Sequence, residues 1–129
     1  RETRRILGDY ILTEKDCREG KLFYDTIVKN PIAFDLHDAK YTCEILDKMV
    51  GIPYRCLLPQ NIENLLVAGR CISSDHVANS SIRRMHTCFI VGQVSGLAAA
   101  LCSKKDIAPR ELCFDELKDL MLKEGIIIK

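Results

Sequence analysis

The chain has 129 residues, 47% of them hydrophobic and 29% charged, and its 19 Lys and Arg against 18 Asp and Glu leave a formal net charge of +1. That length suits one compact domain, or part of a larger one, and the apolar content is too high for a disordered chain. So balanced a charge leaves no global basic field to draw in nucleic acid or an anionic membrane, so neither is expected as a partner.

In chain order, Arg4 to Leu12 mixes charge with β-branched and aromatic residues and reads as a strand that Gly8 interrupts as a bulge or bend would. Thr13 followed by Glu14, Lys15 and Asp16 predicts an N-cap and acidic first turn for a short helix ended by Gly20. Between Asp25 and Asp38, Ile32, Phe34 and Leu36 alternate, which predicts a strand following Pro31; Tyr41 to Met49 is ambiguous in type. Ile52-Pro53-Tyr54-Arg55 and Leu57-Leu58-Pro59 read as extended, because proline biases its predecessor away from the α region. Asn61 to Asn64 is a polar turn.

The continuous apolar run Leu65-Leu66-Val67-Ala68, stopped by Gly69, predicts a strand buried on both faces of a parallel or mixed sheet. A polar loop through Ser73, Ser74, Asp75 and Asn79-Ser80-Ser81 should follow. A long helix from about Met85 to Ser103 is rich in Gly, Ala and Ser. Pro109 opens a last segment with helical spacing at Phe114, Leu117, Leu120 and Met121. Gly125 stops it, and Ile126-Ile127-Ile128 reads as a terminal strand. The longest apolar stretch, Phe89 to Leu101, is broken by Gly92, Gln93, Ser95 and Gly96 and falls short of the ~20 residues that span a bilayer. No secretory signal is expected, and the opening on Arg1 rather than Met points to a processed or truncated product.

Seven dispersed cysteines with no C-x-x-C pair, and three histidines without H-x-x-x-H spacing, predict no metal site and no iron–sulfur ligation by this stretch. Such cysteines suit reduced, packed thiols, and hence a cytoplasmic protein.

The strand–turn–helix block from Asn64 to Leu101 is where chemistry would sit, since helix starts in open α/β sheets present unpaired N–H groups to anions. The order Asn64-Leu-Leu-Val-Ala-Gly-Arg-Cys-Ile-Ser73, His76, Ser81-Ile-Arg83, Met85, Thr87-Cys88 and Gly92-Gln93-x-x-Gly96-x-Ala-Ala-Ala100 closely resembles the C-terminal FAD-binding segment of a family of FAD-dependent oxidoreductases. These are related to fumarate-reductase-type and glutathione-reductase-type flavoproteins. Supporting matches are Arg1-Glu-x-Arg-Arg-Ile-x-Gly-x-Tyr10, Thr13-x-x-Asp16, Asp35-x-His-Asp38, Ile52-Pro-Tyr-Arg55 and Pro109-Arg-Glu-Leu112. Departures stand at Ser80 and His86, where the resemblance implies glycine and proline.

The resemblance implies a mixed α/β fragment of a two-domain, Rossmann-like FAD-binding oxidoreductase. Residues 1–55 would belong to a substrate domain and its crossover strands, and residues 56–129 to the C-terminal part of the FAD-binding domain. The glycines contain no G-x-G-x-x-G, so the ADP-binding N-terminal portion would be a missing partner, and the isolated chain would be inactive and prone to self-association. By the same resemblance, Gly69, Arg70 and Ser73 would meet FAD along its pyrophosphate–ribityl part. Ser81, Ile82 and Arg83 would meet the flavin edge, and His76 and Arg83, with His37 from the substrate side, would hold a small anionic substrate for hydride transfer. Plainer readings stand beside these: Arg83 as a solvated helix start, His76 as a turn residue, His37 as a hydrogen-bonded strand end, and the whole as a non-enzymatic α/β binding or assembly module.

Overall fold

A computed structural model describes residues 4–37 and 42–126. The chain is mixed α/β. Helix α1 (Glu14–Glu19) is followed by β1 (Thr26–Leu36) and β2 (Thr42–Pro53), then α2 (His76–Ile82), α3 (Met85–Lys105) and α4 (Phe114–Lys123), with single 3-10 turns at Tyr54–Leu57 and Pro109–Glu111.

Helix α1 forms as its sequence predicts. Thr13 Oγ1 accepts from the Asp16 amide at 3.2 Å, Asp16 Oδ2 accepts from the Thr13 amide at 3.1 Å, and Gly20 closes the helix at φ +66°. β1 and β2 form an antiparallel pair, the only sheet among the described residues. The strand expected after Pro31 in fact begins at Thr26 and carries Pro31 inside it, beside a register shift between Pro31 and Ala33. An irregularity is where a residue with no N–H is tolerated. The ambiguous stretch before Met49 is β2.

The N-terminal segment is not a sheet strand. It threads between two later stretches, making isolated bridges at Gly8 with Pro59 and Leu12 with Ser74. Gly8 is needed for the approach, since a Cβ there would lie 2.8 Å from Ser73 Cβ. Ile52 and Pro53 end β2 as extended residues, but Tyr54 to Leu57 coil into a 3-10 turn. That turn is pinned by Asp25, 2% exposed, whose carboxylate accepts from Arg55 Nε at 2.9 Å, Nη2 at 3.0 Å and the Arg55 amide at 3.2 Å.

Two further expectations are corrected. Leu65 to Gly69 is no strand and is not buried: Leu65 is exposed and the next four residues half-buried. Among the described residues no strand lies alongside it, and the Val67 amide bonds to the Leu57 carbonyl outside any ladder; an apolar run becomes a strand only with a partner for its backbone. The expected polar loop before Ser81 is instead α2. Asp75 caps it, Oδ1 accepting from the Ala78 amide at 2.8 Å, and the loop-favouring side chains donate to nearby carbonyls. Asn79 Nδ2 donates to the Arg70 carbonyl at 3.1 Å and Ser80 Oγ to the Val77 carbonyl at 2.6 Å.

The core runs from Leu12 to Ile126 and centres on Ile27, Ile32, Phe34, Ile52, Val91, Val94 and Leu117. A buried polar network crosses it. Thr87 Oγ1 of α3 donates to Asn30 Oδ1 of β1 at 2.6 Å, Asn30 Nδ2 donates to Ser81 Oγ of α2 at 3.2 Å, and Ser81 Oγ accepts from the Ala33 amide at 3.1 Å. These bonds fix α2 and α3 against β1, and with them the junction that carries Arg83 and Arg84. Helix α3 runs to Lys105 and is, contrary to the sequence reading, long and apolar enough to cross a membrane by length and composition; here its Val91, Val94 and Ala98 pack into the core. Of the terminal isoleucines, Ile126 is buried and the other two lie outside the described residues.

Candidate functional site

The junction between α2 and α3 gathers the cations. Arg83 is the C-cap of α2 and Arg84 the N-cap of α3. No side chain caps α3, so its first N–H groups point outward beside these arginines. Arg70 reaches the same place, its Nε donating to the Arg83 carbonyl at 3.1 Å. Asp35, near the end of β1, supplies the one carboxylate among the described residues of the junction: Arg83 Nη2 donates to the Asp35 carbonyl oxygen at 2.7 Å and lies 3.7 Å from Oδ2.

Together with Ser80, Met85, His86 and Phe89, these residues line an open hollow of about 630 Å³. Three guanidiniums face one carboxylate across it, and Met85 and Phe89, 67% and 74% exposed, form an apolar rim. Asp35 Oδ1 is buried and without a hydrogen-bond partner among the described residues. The arrangement can hold an anion against an apolar body and offers one acceptor to an N–H or O–H.

The sequence-predicted residues fall into three groups. Arg70 and Arg83 line the hollow. His37 stands beside it through Asp35, its Nε2 3.5 Å from Asp35 Oδ2, so Arg83 and His37 share one carboxylate. Ser73, Ser81 and Ile82 are buried: Ser73 Oγ has no hydrogen-bond partner among the described residues, Ser81 Oγ serves β1, and Ile82 is core, so Ser81 and Ile82 could meet a ligand only through backbone atoms. Gly69 adopts φ +89° with open space where a Cβ would be, a shape that admits close approach. His76 begins α2, seven residues and roughly 10 Å along the helix axis from Arg83. Sequence reasoning missed Asp35, Arg84, His86 and Phe89 as site residues. The run Arg83-Arg84-Met85-His86 at a helix start was the available signal.

A basic hollow with an apolar rim at a helix start has the chemistry to suit an anionic organic group. The chain belongs to the FAD dependent oxidoreductase family, whose model matches residues 1–121. No curated protein and no solved structure matches it. FAD is the cofactor of that family, and the residues present fit it: arginines and a free helix start for anionic oxygens, a left-handed Gly69 for close backbone approach, and the unpartnered Asp35 Oδ1 as an acceptor. Among the described residues no cluster of His, Cys, Asp or Glu could hold a metal.

Proposed function

We propose that this chain is the flavin-facing part of an oxidoreductase moving two electrons between a small anionic substrate and FAD. The convergence of Arg70, Arg83 and the uncapped start of α3 on one hollow carries the reading. FAD, when bound, supplies the hydride chemistry. Gly69 and Arg70 would hold its phosphate–ribityl side, and Arg83 with the α3 start would favour negative charge at its flavin edge. Asp35 orients Arg83 and His37, so Arg83 would stabilise negative charge at the substrate's reacting end and His37 would exchange a proton with it; His76, at the far end of α2, would act from another side.

The ADP half of FAD would be held by a G-x-G-x-x-G unit not found in this sequence, with residues 1–55 belonging to a substrate domain and 56–129 to the FAD-binding, Rossmann-like domain. Two features support an adjoining unit. Gly92 and Gly96 sit inside α3 with nothing within 4 Å of a would-be Cβ, although each glycine costs a helix about 1 kcal/mol. A second hollow, of about 680 Å³, lies between Leu65-Leu66 and the small-residue face of α3, and the unpartnered Ser95 Oγ lines it. The same open face supports self-association of the chain alone, and it is what favours the rival reading of a binding or assembly module. All seven cysteines are free thiols, in keeping with a cytoplasmic site of action.

Fluorescence titration tests the reading. FAD and FMN should bind the chain with similar, weak, saturable affinity, and ADP should not compete. Competition by ADP as strong as by FMN, or no binding of either flavin, overturns it.

A further inference from the structure

We propose that Arg84 and His86 form a carboxylate-binding subsite and that Met85 and Phe89 receive the apolar body of the same molecule, so that the hollow takes a monocarboxylic acid with an aromatic or alkyl group. The proposal rests on the flavoprotein reading only in calling that acid a substrate.

Some of the cationic donors at the junction are already used. Arg83 is committed to Asp35, by a 2.7 Å bond to the carbonyl oxygen and a 3.7 Å approach to the carboxylate. Arg70 is tied by its Nε to the Arg83 carbonyl. Arg84, like Arg70, makes a single side-chain bond among the described residues, Nη2 to the Ala33 carbonyl at a long 3.4 Å, which leaves most of its five N–H donors for a ligand, and unlike Arg70 it sits at the start of α3 next to Met85 and His86. His86, exposed on the first turn of α3, has an N–H donor in either protonation state and lines the same hollow. A guanidinium fork beside an imidazole N–H matches the two oxygens of a carboxylate, and the uncapped helix start adds to the attraction.

The neighbouring surface decides the rest of the ligand. Met85 and Phe89 are one turn apart on the same face of α3, and both are mostly exposed. A large aromatic and a thioether lining the same hollow as these two donors suit a ligand that is apolar at one end and anionic at the other. Inorganic phosphate or acetate would use only half of this surface.

The test is an NMR titration of the isotope-labelled full chain with phenylacetate, following the Arg84 Nε–H and His86 ring signals, with no flavin present. Binding should saturate, and Arg84→Gln and His86→Asn should each weaken it about tenfold, the usual effect of losing a charge-assisted bond. Phe89→Ala should weaken phenylacetate and leave acetate unchanged. Each substituted side chain is exposed or half-buried at the rim, and amide spectra that overlay away from the junction will show the variants are folded.

Acetate or phosphate binding as tightly as phenylacetate overturns the proposal, as does unaltered binding by Arg84→Gln or an absence of saturation. Displacement of phenylacetate by FMN would return the hollow to the cofactor and overturn it too. Failure of the flavin titration with this titration intact would remove the word substrate and leave the acid site standing.

Discussion

Replacing Thr87 with valine removes one oxygen and almost no volume. In the structure that oxygen donates to Asn30 Oδ1 at 2.6 Å, inside a network where Asn30 and Thr87 are each 1% exposed. Thr87→Val leaves the Asn30 carbonyl oxygen buried without a donor, which costs about 1–3 kcal/mol. For 129 residues at about 2.1 cal/mol/K each, every kcal/mol lowers Tm by about 4 °C, so a fall of about 4–11 °C is expected. Asn30→Leu alone should also destabilise, whereas the double variant, with both polar partners replaced, should recover part of the loss, giving a coupling of about 1 kcal/mol or more. Urea and thermal unfolding followed by circular dichroism measure all four corners, with Ser103→Ala on the exposed side of α3 as a control. A loss below about 0.5 kcal/mol for Thr87→Val, or additive effects, would refute the claim that this network ties α3 to β1 and holds the arginine junction in place.

Asp16 offers a pH test. Burial would raise its pKa, but hydrogen bonds from Lys21, from the Thr13 side chain and amide and from Tyr10 outweigh it, so the carboxyl titrates below its ordinary 3.8. Its stabilisation is therefore complete above that value and lost as pH falls through the lower folded-state pKa, and Asp16→Asn should flatten the acid limb of the stability curve; an unchanged limb contradicts this. The cysteines should separate in thiol-exchange kinetics. Burial, with the nearby carboxylates of Asp75, Asp16 and Glu14, pushes Cys17 up to about 12, and burial does the same for Cys56, so both should be inert near neutral pH while exposed Cys43 and Cys113 react within the first phase. Fast labelling of Cys17 or Cys56 in the folded chain would count against the packing described. Gly51→Ala should cost about 1–3 kcal/mol, because its Cβ would meet Thr26 Oγ1, which is itself bonded to the Phe23 amide and carbonyl; a neutral effect in urea unfolding would show that Thr26 swings aside freely.

How much of this was legible depended on how local the signal was. The α1 caps at Thr13 and Gly20, the turn at Asn61 to Asn64, α3 and the end at Gly125 follow from residues within a few positions of one another. Leu65 to Gly69 misled because its composition states only that it wants burial, while strand formation depends on a neighbour elsewhere. Helix α2 hid behind Asn79-Ser80-Ser81, whose side chains favour turns in isolation but here bond to Arg70, Val77 and β1. In the candidate site, Gly69, Arg70 and Arg83 came from the resemblance. Asp35 did not stand out, because its role arises only when the end of β1 lies against a residue 48 positions later. Arg84 has no local feature to set it apart from a solvated helix start and His86 stands where the resemblance implies proline, and only the hollow shared with Arg70 and Arg83 brings them together.

The central claim is that the α2–α3 junction is the flavin-facing surface of this chain, and the direct measurement is an amide-resolved NMR titration with FAD. Shifts should concentrate at Gly69, Arg70 and residues 80–86, weakened throughout by Arg70→Ala, with α4 and the far end of the hairpin, where Lys29 pairs with Gly51, unmoved. Shifts centred on α4 or on that far end of the hairpin, or none at saturating FAD, would contradict it.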